Sequence, residues 1–308
     1  MLAEPYSSLI SIIIVILVGL FLSRRNWFSE DTTNTITKII LDVSIPLSII
    51  ACIQENVTKS TIADINIGIL IPFLSIGLEY LISFILATVT HMPLNRKGLF
   101  VSMFSNPNTL FIGIPVNLAV FGSKSLPYAY IYYIVSTLFF NTVGTILLSQ
   151  NNGEKLTLKK VKETLITPIL ISFTITIVLL MAEILLPDFI TKSCSMIGSL
   201  ATPLSLLYIG ICLSKTSLKA MSFSLDIAGI FLGRFIVSPL ITLFLGKILQ
   251  TPEIAINVFV LQSFLPAMTS TPIFGARYNC DTQYATMGTT LTALSSLLII
   301  PLYTKILF

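Results

Sequence analysis

Two stretches of this chain combine proline, amide and hydroxyl side chains inside otherwise apolar surroundings. The first runs from Phe104 to Pro115 and contains Asn106, Pro107, Asn108, Thr109, Gly113 and Pro115. The second runs from Gln262 to Pro272 and contains Gln262, Pro266, Thr269, Ser270, Thr271 and Pro272. Proline inside a helix removes a donor and clashes with the preceding turn, at about 3 kcal/mol. Neither stretch therefore reads as a regular lipid-facing helix. Each break frees N–H groups at the start of one half-helix and C=O groups at the end of another. The N–H ends carry partial positive charge and hold an anion without burying a full one. The C=O ends, with Asn and Thr oxygens, suit a cation or a proton donor. A lone break of this kind is a packing kink. Two in matching positions, with polar residues beside them, read as one binding site in which Asn106, Asn108, Gln262, Thr269 and Thr271 are the direct donors.

Asp42, Glu79, Glu183 and Arg234 are ionisable residues inside the predicted apolar spans. Insertion scales put a central Asp or Arg at about 2.5–3.5 kcal/mol, so each needs a reason to be there. Glu183, four residues before Pro187, reads as interfacial. Arg234 lies too deep to reach water; it either neutralises a carboxylate substrate or pairs permanently with Asp42 or Glu79. Asp42 lies one helical turn before Pro46, which predicts that both face one side. It is the first candidate for a protonatable coupling group, with Glu79 the second.

Other chemistries have little to work with. His91 is the sole histidine, beside Met92, Pro93, Arg96 and Lys97, and reads as a helix-end residue. Cys52, Cys194, Cys212 and Cys280 are scattered without a CxxC pair, so neither a metal knuckle nor a disulfide framework is suggested. The expectation is a protein that is not an enzyme, with no metal and no cofactor.

The elements that must position these residues follow from composition. Of 308 residues, 54% are hydrophobic and 10% charged, and the mean hydropathy is +0.92. Soluble domains carry about 25% charged residues. Such a chain cannot cover a water-facing surface, which predicts an all-α polytopic membrane protein, since lipid satisfies no open backbone. Ten apolar runs are long enough to span: 6–23, 35–54, 65–90, 99–121, 126–149, 164–186, 194–213, 223–248, 254–276 and 281–306. The acidic start Met1–Pro5 and the basic pair Arg24 and Arg25 behind the first run predict a retained span, not a cleaved signal peptide. The loops 23–38, 91–98, 150–163, 214–222 and 277–280 hold twelve of the 18 basic residues. By the positive-inside rule they are cytoplasmic and both termini face outward. They call for no nucleic acid.

The polar interruption Gln150–Glu163 leaves five spans on each side, dividing the chain into 1–150 and 151–308. Pro46, Leu47 and Ser48 recur as Pro203, Leu204 and Ser205, and Pro115 recurs as Pro272, both at the same offset. Five is odd, so the second half enters from the opposite face: a five-plus-five inverted repeat, an architecture of secondary transporters. Gly229 and Gly233 fit close internal helix packing. The cluster Tyr128–Tyr133 reads as interfacial anchoring.

At Asn108–Pro115 followed by Phe121 and Gly122, the sequence resembles the auxin efflux carrier family, which includes plant PIN proteins and bacterial malate or malonate permeases. The likeness continues at Pro266, Ala267, Met268 and Pro272, at Tyr278 and Asp281, and at Leu294–Ser296 with Pro301 and Leu302. The resemblance implies ten transmembrane helices, with broken helices 4 and 9 crossing at their proline-rich centres. It further implies scaffold helices 1, 2, 6 and 7, transport helices 3–5 and 8–10, and elevator-like movement of small organic anions. The short central loop is similar to that of bacterial members, hence an inner-membrane location. Sodium-coupled relatives of similar fold place acidic residues and glutamine at the crossover; here Gln262 is present, without Asp or Glu in either segment. Proton, sodium and uncoupled transport all stay open, as does a homodimer. The functional expectation is a carboxylate carrier, with an ion or solute channel on the same broken helices as the alternative.

Overall fold

The computed structural model describes residues 3–56, 68–152, 167–214 and 224–307, the first few by backbone alone. The basic residues of the 150–163 and 214–222 loops lie outside the described residues. Described residues are helical, and extended pairing is confined to one antiparallel bridge between Pro107 and Ala267. The helices are α1 Ala3–Arg24, α2 Glu30–Lys38, α3 Ile45–Asn56, α4 Leu70–Val89, α5 Leu94–Ser105 and α6 Ile114–Phe121. They continue as α7 Leu126–Phe139, α8 Thr145–Ser149, α9 Pro168–Met181, α10 Asp188–Gly198 and α11 Ala201–Ser214. The last are α12 Leu225–Leu232, α13 Ser238–Ile248, α14 Glu253–Ser263, α15 Thr271–Arg277 and α16 Thr282–Leu307.

Among the described residues, six continuous helical runs are long and apolar enough to cross a membrane: Glu30–Glu55, Leu70–Val89, Ser123–Ser149, Asp188–Ser214, Leu225–Ile248 and Thr282–Leu307. Four shorter apolar helices accompany them, at Leu9–Arg24, Thr109–Phe121, Pro168–Met181 and Glu253–Ser263. Capping explains where several begin. Ser29 accepts from the Thr32 N–H at 3.1 Å, with Glu30 and Asp31 in the first turn, so the second run starts five residues before the expected 35. The seventh run opens at Asp188, an acidic residue in the first turn, ahead of the expected 194. The sixth run ends at Met181, and Glu183 sits beyond it in a left-handed turn, exposed. His91 takes the same left-handed conformation just after α4 and is exposed.

Prolines shape three of the runs in one way. Wide, π-type turns occupy Ile39–Ser44, Thr109–Gly113 and Gly233–Val237, each ending two residues before Pro46, Pro115 or Pro239. A proline clashes with the carbonyl four residues back, and widening the turn moves that carbonyl aside. At Pro239 the displaced carbonyl is that of Phe235, which accepts a hydrogen bond from the Tyr303 hydroxyl. The same widening corrects the expected facing of Asp42. With a π turn ahead of Pro46, residues four apart no longer stack, and Asp42 is exposed whereas Pro46 is buried.

By their contacts the residues form two compact units. The first holds 1–66, 110–130 and 166–215. There α1 lies against α11 so closely that a Cβ on Gly19 would meet the Leu207 backbone, and one on Gly210 the Ile16 carbonyl. In the same unit α3 packs on α9 and α10. Tyr130 is buried and bonds Ser48 at 2.8 Å. Tyr128 is buried as well.

The second unit holds 67–109, 131–165 and 216–308. Its helix α4 packs on α5 and α13, α13 on α14, and α15 on α16. Gly229 and Gly233 receive the rings of Phe100 and Phe104 from α5, an internal groove for two side chains one turn apart.

Candidate functional site

The site starts from what two prolines do to the backbone. Pro107 disfavours helical geometry at the residue before it, and Asn106 is extended at φ −103°, ψ 109°, ending α5. Pro266 acts likewise after α14, and the chain stays non-helical until Thr271. Buried backbone without partners is costly. The two breaks meet that demand in each other: Asn108 N–H donates to the Pro266 carbonyl at 2.8 Å, and Met268 N–H to the Asn106 carbonyl at 3.1 Å. Ala267 N–H donates to Thr292 Oγ1 at 3.2 Å, and Gln262 Nε2 to the Thr109 carbonyl at 3.5 Å. Part of the backbone polarity expected for a ligand is thus already spent on the crossing itself.

The side chains around the bridge are buried and polar. Asn108 is 2% exposed, and its Nδ2 donates to Thr269 Oγ1 at 3.4 Å. Thr109, Pro266 and Gln262 are buried, and Thr269, Ser270 and Pro272 are half-buried. Thr271 is fully buried at the start of α15, and its Oγ1 has no partner among the described residues. Asn106 is differently occupied. Its Nδ2 donates to the Ser136 carbonyl at 3.0 Å and lies 3.2 Å from Ser136 Oγ, and its Oδ1 accepts from the Tyr80 hydroxyl. Gly113 and Pro115 are buried too, in the π turn and first turn of α6, among the residues of the first unit.

A buried ion pair joins the second break. Arg234 and Glu79 are both at 0% exposure, with Arg234 Nη2 3.2 Å from Glu79 Oε2. The same nitrogen donates to the Ser263 carbonyl at 2.9 Å and to Ser238 Oγ. Its two protons are shared among three acceptors. Arg234 Nε and Nη1 and Glu79 Oε1 have no hydrogen-bond partner among the described residues. Of the two pairings open to Arg234, the structure forms the one with Glu79; Asp42 lies in the first unit.

The crossover therefore gathers Asn106, Asn108, Thr109, Gln262, Pro266 and Thr269 at one bridge, with Arg234 and Glu79 at the end of α14. Sequence reasoning missed Tyr80, Ser136, Ser263 and Thr292. Tyr80 follows Glu79 directly, which was the one available signal. Helical serines and threonines bond their own backbone so often that their types carry none. No group of three or more His, Cys, Asp or Glu side chains able to hold a metal occurs among the described residues.

Outside the spans, the N-terminus of α16 is pinned to the start of α5. Arg96 Nε lies 2.7 Å from Asp281 Oδ2, and Asp281 Oδ1 accepts from the Tyr284 N–H at 3.0 Å. Burial pushes the Asp281 carboxyl upward, but the Tyr284 N–H and the Arg96 guanidinium outweigh it and hold it below its ordinary value.

Residues 6–304 match the family described as Membrane transport protein. An uncharacterized transporter of Methanocaldococcus jannaschii, MJ1031, is 28% identical over 310 residues, covering 98% of this chain and 99% of the relative. One from Methanothermobacter thermautotrophicus is 22% identical over 309 residues, covering 97% of each. The uncharacterized transporter YfdV of Escherichia coli K12 is 22% identical over 302 residues, covering 96% of this chain and 95% of its own. The chain belongs to the membrane transport protein family, of the auxin efflux carrier type; it is a multi-pass membrane transporter and not an enzyme.

Proposed function

We propose that this member of the membrane transport protein family is a secondary transporter for a small organic anion, a carboxylate. It works by elevator-type alternating access on a ten-span, five-plus-five inverted repeat. The observation that carries the reading is the antiparallel bridge between Pro107 and Ala267, with Asn108 and Gln262 buried and Thr269 half-buried around it. Interrupted helices are tolerated at membrane depth where protein or an aqueous cavity covers them, and paired interruptions mark the transport site of inverted-repeat carriers. The four shorter apolar helices fill the places of spans 1, 4, 6 and 9 in the ten-span reading. Spans 1, 2, 6 and 7 fall in one contact unit and spans 3, 8, 9 and 10 in the other, which supports a scaffold and a transport domain.

The substrate carboxylate takes Asn108 Nδ2 and the hydroxyls of Thr269, Ser270 and Thr271, with Thr109, Pro266 and Pro272 shaping the walls. Arg234 adds positive potential through Nε and Nη1. While Glu79 is ionised the pair is neutral overall. Once Glu79 is protonated the guanidinium charge is uncompensated, and a carboxylate is held more tightly. That assigns proton coupling to Glu79, with Asp42 as the other coupling group. The membrane is the inner one of a bacterial cell, with both termini outward.

The experiment is uptake of radiolabelled malate and malonate into proteoliposomes. Wild-type protein should give saturable flux with counterflow, stronger with the binding face at lower pH. Asn108→Ala should abolish that flux while the protein still inserts and melts as wild type. Undiminished transport by Asn108→Ala refutes the site, and single-channel currents in place of saturable flux refute the carrier.

A further inference from the structure

Glu79 and Tyr80 are consecutive residues of α4, and each reaches a different arm of the crossover. The Tyr80 hydroxyl donates to Asn106 Oδ1, on the first residue past the end of α5. Glu79 holds Arg234 at 3.2 Å, and Arg234 donates to the carbonyl of Ser263, the last residue of α14. Neighbouring residues on a helix point about 100° apart, so one helix faces two arms at once. Both side chains are buried, Glu79 at 0% and Tyr80 at 4%. The Tyr80 ring is stacked on Phe139 with centroids 5.7 Å apart, which fixes its direction. Asn106 is held from its other side by Ser136, so its rotamer is set by three bonds.

We infer that Glu79 and Tyr80 form a positioning pair that sets the two arms of the crossover separately. Tyr80 sets the first through Asn106, and Glu79 sets the second through Arg234 and Ser263. The physical reason is that α5 and α14 both give way to non-helical backbone before the bridge, where a helix no longer dictates direction. The two bonds across the bridge tie the arms to each other but leave the pair free to tilt together. Fixing each arm to a third, unbroken helix removes that freedom. This is a role distinct from holding substrate, and it rests on the proposed carrier reading only in that the crossover is what needs positioning.

The test is hydrogen–deuterium exchange of the protein in lipid nanodiscs without any ligand, since buried amides exchange only through local opening. Tyr80→Phe keeps the stacked ring and removes only the hydroxyl. It should speed exchange of the Asn106 amide, bonded to Ser102, by about tenfold, one net hydrogen bond's worth. Phe264 and Leu265, whose amides bond within the end of α14, should stay within about twofold of wild type. The paired variant Glu79→Gln/Arg234→Met removes both charges and leaves no lone buried ion. It should reverse the pattern, speeding Phe264 and Leu265 and sparing Asn106. Both arms loosening alike in either variant, or neither loosening in its own, overturns the assignment. Malate and malonate flux plays no part in this readout, so a wrong substrate class and a wrong positioning pair fail separately.

Discussion

Removing one member of the Arg234–Glu79 pair should cost far more than removing both. Each is fully buried, and their contact is a single nitrogen at 3.2 Å, with Nε, Nη1 and Oε1 lacking hydrogen-bond partners among the described residues. A buried ion deprived of its counter-ion costs about 3–5 kcal/mol, whereas replacing a buried pair by neutral groups of similar size is often neutral or stabilising. Glu79→Gln alone leaves the guanidinium charge uncompensated, and Arg234→Met alone leaves the carboxylate so. Each single variant should melt roughly 6–20 °C below wild type, at about 2–4 °C per kcal/mol for chains of this order of size. The double variant should recover to within a few degrees. Thermal melting in mild detergent with the four proteins side by side gives the coupling energy directly. Additive losses, with the double variant the least stable of all, would refute the claim that the pair is held together by mutual neutralisation. A second signature separates stability from work: the recovered double variant should melt normally yet carry no flux, because the charge offered to a carboxylate is gone.

The remaining expectations concern single contacts. Thr292→Val keeps the shape of the side chain and strands the Ala267 N–H; it should lower stability by about 1–3 kcal/mol, seen as faster exchange of the Ala267 amide. Gly233→Ala drives a methyl into the ring of Phe104; overpacking of this kind costs about 1–3 kcal/mol, and Phe104→Leu in the same chain should restore part of the lost melting temperature. Because the Asp281 carboxyl is held below its ordinary value, its contribution is complete above about pH 4 and disappears as pH falls through the lowered one. Wild-type melting temperature should therefore drop in that acid range, and Asp281→Asn should lack that part of the drop. The Asn108→Ala flux measurement completes the set.

The two breaks were legible because proline leaves so little choice. Pro107 and Pro266 end α5 and α14 close to where the residue types require, and the polar residues beside them fall at the bridge. Asn106 shows the limit of residue types. An amide at a break reads as a ligand donor, yet its bonds here go to Ser136 and Tyr80, partners 30 and 26 positions away that no local pattern connects to it. Asp42 shows another limit. Helical spacing from Pro46 assumes 3.6 residues per turn, and the π turn ahead of that proline changes the phase. Likewise Tyr128–Tyr133 carries the composition of an interfacial belt, while burial depends on what packs over it.

By itself the sequence determined that the chain lives in lipid, that its backbone is helical and where two helices must fail, because hydropathy and proline sterics act on nearest neighbours. Only the tertiary structure decided which failures meet, which carboxylate neutralises Arg234, and which amide is spent on holding the protein together. Those outcomes depend on contacts between residues as far apart in the chain as Asn106 and Met268, and side-chain type says what a group needs without saying which partner supplies it.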